Sequence, residues 1–177
     1  MRYFIAHILE DYVAIYHSAL AGELSTGFGV NASASLFPAH ITIKAPFNMD
    51  DVTEIKEELK KFASTHYAPS FTIQNFGHFG DKVIFLDVER NCMLSILVWD
   101  IQNTIKKVTD LTWEKHEPLE ILHVTIAKNF DTKKFDAIWH RLLMKNSPTF
   151  KLSFNNVTLL RLEDNAWVVD SVYYLNK

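Results

Sequence analysis

Two octapeptides of this 177-residue sequence, His40-Ile41-Thr42-Ile43-Lys44-Ala45-Pro46-Phe47 and His123-Val124-Thr125-Ile126-Ala127-Lys128-Asn129-Phe130, follow one template. Each reads His-x-Thr-Ile, and each carries Phe seven residues after its His. Side chains alternate along a strand, so a His and the Thr two positions on face the same way. Each stretch therefore offers a proton-transfer group and a hydroxyl on one surface. Two such strands side by side would set two imidazoles and two hydroxyls around one small polar group, an arrangement suited to a phosphodiester. Histidine changes charge near neutrality, so one ring can take a proton while the other gives one. The hydroxyls of Thr42 and Thr125 would donate to the non-bridging oxygens as charge builds on them.

The elements needed to hold these strands can be read around them. Arg2 to Leu9 is an apolar run rich in strand formers. A helix is expected from Asp11, with Tyr12, Ile15, Tyr16, Ala19 and Leu20 as its apolar positions and Gly22 weakening its last turn. Ser25 to Ser35 has the least regular pattern and is expected to be a lid-like loop ahead of the His40 strand, Phe37 to Lys44. Gly27 and Gly29 loosely match a dinucleotide fingerprint, but the strand-before, helix-after order it requires is reversed.

A second helix is expected from Asp51, burying Val52, Ile55, Leu59 and Phe62. Strands at Phe71 to Phe76 and Lys82 to Val88 follow, joined by a turn over Gly77 to Asp81. Asn91 caps a third helix with the stripe Leu94, Leu97, Ile101, Ile105 and Val108. A polar loop, Thr112 to Leu119, leads to the His123 strand. Asp131 opens a fourth helix, and Phe150 to Leu160 pairs with Trp167 to Tyr174 in a closing hairpin.

The pattern repeats. Arg2 aligns with Lys82, His40 with His123 and Phe71 with Phe150, which implies duplication. The expected fold is α+β: one domain, 1–177, made of two pseudo-symmetric halves (about 1–80 and 81–177), with antiparallel-rich sheets, flanking helices and a central cleft. Clefts of this kind are the usual place for a ligand.

Composition narrows the partners. Eighteen Lys and Arg against 21 Asp and Glu give a formal charge of −3, which argues against a long groove tracking many phosphates. The single cysteine, Cys92, excludes an internal disulfide and a zinc site of several thiolates. No metal-ligand motif accompanies either His, so neither metal nor cofactor is expected. The opening MRYFIAHILEDY has no signal-peptide pattern and no stretch is long enough to span a bilayer. The expectation is a cytoplasmic protein that acts as a monomer without a stable protein partner.

Paired His-x-Thr motifs in a duplicated α+β chain of this size resemble the 2H phosphoesterase superfamily, within it the group named 2′-5′ RNA ligase or RNA 2′,3′-cyclic phosphodiesterase. Arg2 to Ala6 is similar to that family's first strand, and Phe71 through Leu86 to its central hairpin. His40/Thr42 and His123/Thr125 fall on its two catalytic motifs. The resemblance implies a bilobed, LigT-like fold and metal-independent cleavage of phosphodiesters at ribose 2′ positions. It implies as substrates 2′,3′-cyclic phosphate ends, 2′-5′-linked oligonucleotides or cyclic nucleotide messengers. The alternatives are 2′-5′ end-joining of RNA, or binding of a nucleotide or RNA end without turnover. Lys128 stands where the family commonly has Arg, which removes a bidentate phosphate clamp.

Further substrate contacts are expected from the neighbourhood. Lys44, four residues beyond His40, shares its face under ideal alternation. Lys128, five beyond His123, needs a bulge or a strand end to do so. Phe28, Trp113 and His116 precede the two motif strands and could stack a base. His7 is expected to be structural or peripheral, with Asp87 as its repeat partner. His17, His66, His78 and His140 are expected at the surface.

Overall fold

Tyr3, Ile5 and Leu9 belong to one buried cluster and Phe4 and Ala6 to another, so the first strand is covered on both faces. That explains an apolar run without alternation. A computed structural model describes residues 1–30, 37–89, 91–113 and 121–177. The chain runs β1 (Arg2–Ile8), α1 (Asp11–Phe28), β2 (His40–Asn48), α2 (Thr53–Thr65), β3 (Ser70–Phe79), β4 (Val83–Val88) and α3 (Cys92–Ile105). It continues through β5 (His123–Lys128), a 3₁₀ turn (Thr132–Lys134), α4 (Phe135–Leu143), β6 (Thr149–Ser153), β7 (Asn156–Glu163) and β8 (Ala166–Tyr174).

Two antiparallel four-stranded sheets result, ordered β2-β1-β7-β8 and β5-β4-β3-β6. The orders correspond, with β1 matching β4 and β2 matching β5. The lobes are nevertheless not the two halves of the sequence. Strand β3 joins the sheet of β4 and β5, while β7 and β8 join that of β1 and β2. Phe71 and Phe150 are accordingly neighbours in one sheet, Ile73 pairing with Phe150, rather than symmetry equivalents. The stretch Phe150 to Leu160 is two strands in different sheets, with the fully buried Phe154 at the crossing. The β7–β8 hairpin turns at Asp164 and Asn165, both at positive φ (48° and 65°), as a two-residue loop matched to strand twist demands.

Helices α2 and α3 match expectation. Val52, Ile55, Leu59 and Phe62 are buried, as are Leu94, Leu97, Ile101, Ile105 and Val108. Asn91 Oδ1 accepts from the amides of Met93 and Leu94 at 2.9 and 3.3 Å. Helix α1 departs from it. The helix continues through Gly22 and Gly27 to Phe28, and only Gly29, at φ 60°, ends it by donating its N–H to the Ser25 carbonyl. Its buried stripe is Val13, His17, Leu20, Ala21 and Leu24, whereas Tyr12 and Ile15 are 82% and 67% exposed. The histidine in the stripe disguises the helical period.

Strand β3 extends to Phe79, into the expected turn, because Gly77 gives the Phe85 ring of the paired strand room to lie across it. Asn156, 1% exposed, ties the end of β1 to β7: its Oδ1 accepts from Ile8 N–H and its Nδ2 donates to Ile8 O, both at 3.0 Å. Ile8 is the residue paired with His40, so this knot sets one wall of the cleft. Among the described residues no helix is long and apolar enough to cross a membrane.

Candidate active site

The two motif strands are the outer strands of their sheets, and they approach each other within 8 Å, Cα to Cα, without sharing a ladder. His40 and Thr42 share the face of β1 that carries Ala6 and Ile8, while His123 and Thr125 share the face of β4 that carries Phe85 and Asp87. Both threonines are half-buried.

The rings are anchored alike. His40 Nδ1 lies 2.7 Å from the Pro38 carbonyl and His123 Nδ1 lies 3.0 Å from the Ile121 carbonyl, each two residues upstream. A carbonyl only accepts, so Nδ1 carries the hydrogen in the neutral ring and Nε2 keeps the lone pair for proton transfer. Aromatic rings fix both in place. Phe4 and Phe37 stand 5.2 and 5.6 Å from the His40 ring, and Phe79 and Phe85 stand 4.9 and 5.0 Å from that of His123. Trp167 stacks on Phe37 at 5.9 Å and continues the apolar wall on the His40 side.

Burial pushes the His40 imidazolium down to about 4; the Pro38 carbonyl opposes this, and the charges of His17, Lys128 and His123 add to it. Burial also lowers His123, opposed by the Ile121 carbonyl and the nearby Asp87 carboxylate and assisted by Lys128. His40 thus senses His123, and Lys128 acts on both. The pair is not symmetric. The residue across the ladder from His40 is Ile8, and that across from His123 is Asp87. Asp87 thus faces His123 and is the repeat counterpart of Ile8 rather than of His7, which is buried against Phe154 and bonds the Asn156 carbonyl at 3.0 Å.

Matching irregularities decide which lysine reaches the cleft. Between β1 and β2, Ala6 pairs with Thr42 but Ile5 with Lys44, leaving Ile43 as an extra residue. Between β4 and β5, Phe85 pairs with Thr125 but Ile84 with Ala127, leaving Ile126 extra. A bulge reverses the alternation beyond it. Lys44 thus turns to the helix-covered face of Ile5, where it is 1% exposed and its Nζ lies 5.4 Å from the Phe47 ring and 4.9 Å from that of Trp113. Lys128 turns into the cleft, 4.6 Å from the Phe37 ring, its ammonium depressed by burial. Simple alternation ranks these two lysines the wrong way round.

The other candidates divide. Trp113 packs against Lys44 and Lys106, away from the histidine pair. Phe28 ends α1 against the main core, its carbonyl accepting from Lys134 Nζ at 2.8 Å. His116 and positions 31–35 of the expected lid lie outside the described residues, and Ser25 to Phe28 of that stretch belong to α1. Sequence reasoning missed Phe37, which precedes β2, and also Phe79, Phe85 and Asp87, which ladder parity with His123 could have found. It also missed His17, which is 3% exposed with Nε2 2.8 Å from the Thr125 carbonyl. His66 lies flat on Phe62 at 3.7 Å and His78 sits between Phe135 and Trp139, so neither reaches the cleft. Among the described residues no group of three or more His, Cys, Asp or Glu is gathered as a metal would need.

Facing sheets with one histidine-bearing edge each define the fold of a 2H phosphoesterase, and the comparisons agree. The model of the 2′-5′ RNA ligase superfamily matches residues 26–166, and the chain belongs to that family. A protein of Geobacillus sp. (strain WCH70), provisionally named a phosphoesterase, is 29% identical over 140 residues, covering 76% of this chain and 77% of its own. One of Bacillus cytotoxicus with a similar name is 28% identical over 148 residues, covering 81% and 82%. TT0787 of Thermus thermophilus superposes with a TM-score of 0.67 at 14% identity, over 99% of this chain and 98% of that one. E. coli LigT, solved with 3′-AMP, superposes with a TM-score of 0.61 at 13% identity and the same coverage. At such identities the two structures bear on the fold alone.

Proposed function

We propose that the protein is a metal-independent phosphodiesterase that hydrolyses 2′-linked phosphodiesters of a small nucleotide or RNA end. Its substrate would be a 2′,3′-cyclic phosphate, a 2′-5′ oligonucleotide or a cyclic nucleotide messenger. The observation that carries this is the matched pair of Nδ1-anchored imidazoles on facing sheet edges, with one ammonium acting on both. The phosphoryl group would sit between the rings, with Thr42 and Thr125 donating to its oxygens and Lys128 balancing its charge.

The asymmetry assigns the two roles. His40, with an apolar ladder partner, burial as the main cause of its depression and the Lys128 ammonium nearby, stays neutral and takes the proton of the attacking water. His123, beside Asp87, is the ring that more readily carries a proton and gives it to the departing ribose oxygen. Each positioned group typically contributes about 10²–10⁴-fold to rate. Phe37 and Trp167 offer a face for a base next to the reacting phosphate.

The test is a product assay across 2′,3′-cyclic nucleotides, 2′-5′ and 3′-5′ oligonucleotides and cyclic dinucleotides, with and without chelator. Release of a 2′- or 3′-phosphomonoester, or of shortened 2′-5′ product, unchanged by chelator, is expected. Loss of activity with chelator would point to a metal mechanism. Binding without turnover of any of these would leave a nucleotide-binding module instead.

A further inference from the structure

The motif strands lie at the edges of different sheets, so no ladder hydrogen bonds fix one against the other. Something else must set their separation. Helix α1 joins β1 to β2 but packs against β5 of the other sheet, and α3 joins β4 to β5 but packs against β2. Each of these crossed helices sends one buried polar side chain to the strand it covers. His17 Nε2 lies 2.8 Å from the Thr125 carbonyl, and Gln102 Nε2 donates to the Ile43 carbonyl at 2.9 Å. Both side chains are 3% exposed.

Both bonds land at the bulges. Ile43 is the extra residue of β2, and Thr125 immediately precedes the extra residue of β5. A bulge disrupts the local ladder, and buried backbone groups there must find other partners. A hydrogen bond from a side chain of the opposite lobe supplies one and ties down the segment whose parity admits Lys128 to the cleft. Neither side chain is exposed enough to touch substrate.

We infer that His17 and Gln102 are reciprocal positioning residues, each holding the bulged motif strand of the opposite lobe so that the His40 and His123 rings keep their separation. This rests on the proposed function only in what the strands are positioned for. In an imidazole that bonds a carbonyl through Nε2, that nitrogen bears the hydrogen, so an amide of similar reach can replace it. Gln102 already plays that part in the other lobe.

The test compares His17→Gln with His17→Met, side chains of similar length and flexibility of which only the first can donate, alongside Gln102→Met. Turnover is read with 2′,3′-cyclic AMP, and the ring-proton resonances of His40 and His123 are followed by NMR during titration with inorganic phosphate. Both Met variants are expected to lose kcat by about 10- to 100-fold, the scale of a slight misplacement of reacting groups, with KM changed far less. His17→Gln is expected to keep kcat within about threefold, since its donor is retained. A Met variant with wild-type kcat, or a Gln variant as impaired as Met, overturns the inference.

Should a Met variant fail to fold, His17→Asn, whose amide stops a methylene short, replaces it, and wild-type kcat there is equally fatal. If the wild-type protein turns over no phosphodiester, the proposed function falls while the NMR arm still decides. Ring shifts altered in Met and restored in Gln support positioning, and shifts unchanged in Met refute it.

Discussion

Gly77 is the position where a single methyl group should reveal how tightly the His123 side of the cleft is packed. A Cβ built there would collide with Phe85 Cε2 and stand 2.6 Å from Cζ, where ordinary contact begins at 3.4 Å. The ring must therefore retreat by about 1 Å or more, and it has little room to do so. Phe79 lies 4.5 Å from it, centroid to centroid, and His123 5.0 Å. Overpacking of this kind costs roughly 1–3 kcal/mol, offset by about 0.5–1 kcal/mol from the glycine's lost freedom in the unfolded chain. Gly77→Ala should thus destabilise the fold by about 1–2 kcal/mol.

Shifting Phe85 also shifts its neighbour His123, so kcat should fall by about 10- to 100-fold. Phe85→Leu removes the two ring atoms nearest the new methyl. In that background Gly77→Ala should be neutral or mildly stabilising, leaving only the entropic gain. Urea unfolding of the four chains of this double-mutant cycle, with kcat for each, is the assay. An equal cost of Gly77→Ala in both backgrounds, or no cost with Phe85 in place, would refute the reasoning.

The two lysines should behave oppositely. Lys128→Met is expected to lower kcat/KM by about 10- to 150-fold, the worth of a hydrogen bond to a charged group, whereas Lys44→Met should change stability and leave KM alone. Asp87→Asn removes the carboxylate that favours the His123 imidazolium, so the alkaline limb of the kcat/KM profile should move to lower pH; a shift to higher pH would contradict the assignment of the acid. Stability should depend on pH through buried neutral histidines. The unfolded chain protonates His7 and His40 near the ordinary 6.5, the folded chain only at about 4. The unfolded state therefore binds more protons in that window, and stability falls as pH drops from 6.5 to 4, by up to about 3 kcal/mol for each histidine. Urea midpoints that stay level from pH 7 to 4.5 would show those rings to be solvated.

Much of this was legible in the sequence because local rules and tertiary packing agree. The His-x-Thr template, the α2 and α3 stripes and the Asn91 cap are all local signals, and each appears where its residues put it. What could not be read depends on contacts between lobes. The assignment of β3 to the second sheet and of β7 to the first is a matter of which edge a strand meets, and periodicity says nothing of that. The exchange of Lys44 for Lys128 turns on two bulged residues, Ile43 and Ile126, which look like any other β-branched strand residue. His17 was hidden for a related reason. A polar residue in a buried stripe reads as a break in the period until its partner, a carbonyl on the far lobe, is known.

The pH dependence of kcat/KM in His40→Ala and His123→Ala, set against the wild-type profile, bears most directly on a shared acid–base pair. A two-limbed wild-type profile is expected, with its maximum below pH 6.5 because both rings are depressed. Each alanine should cost about 10²–10⁴-fold, His40→Ala erasing the acid limb and His123→Ala the alkaline one. Wild-type kcat/KM in either variant, or both limbs surviving in both, would contradict the pairing of His40 and His123 across the cleft.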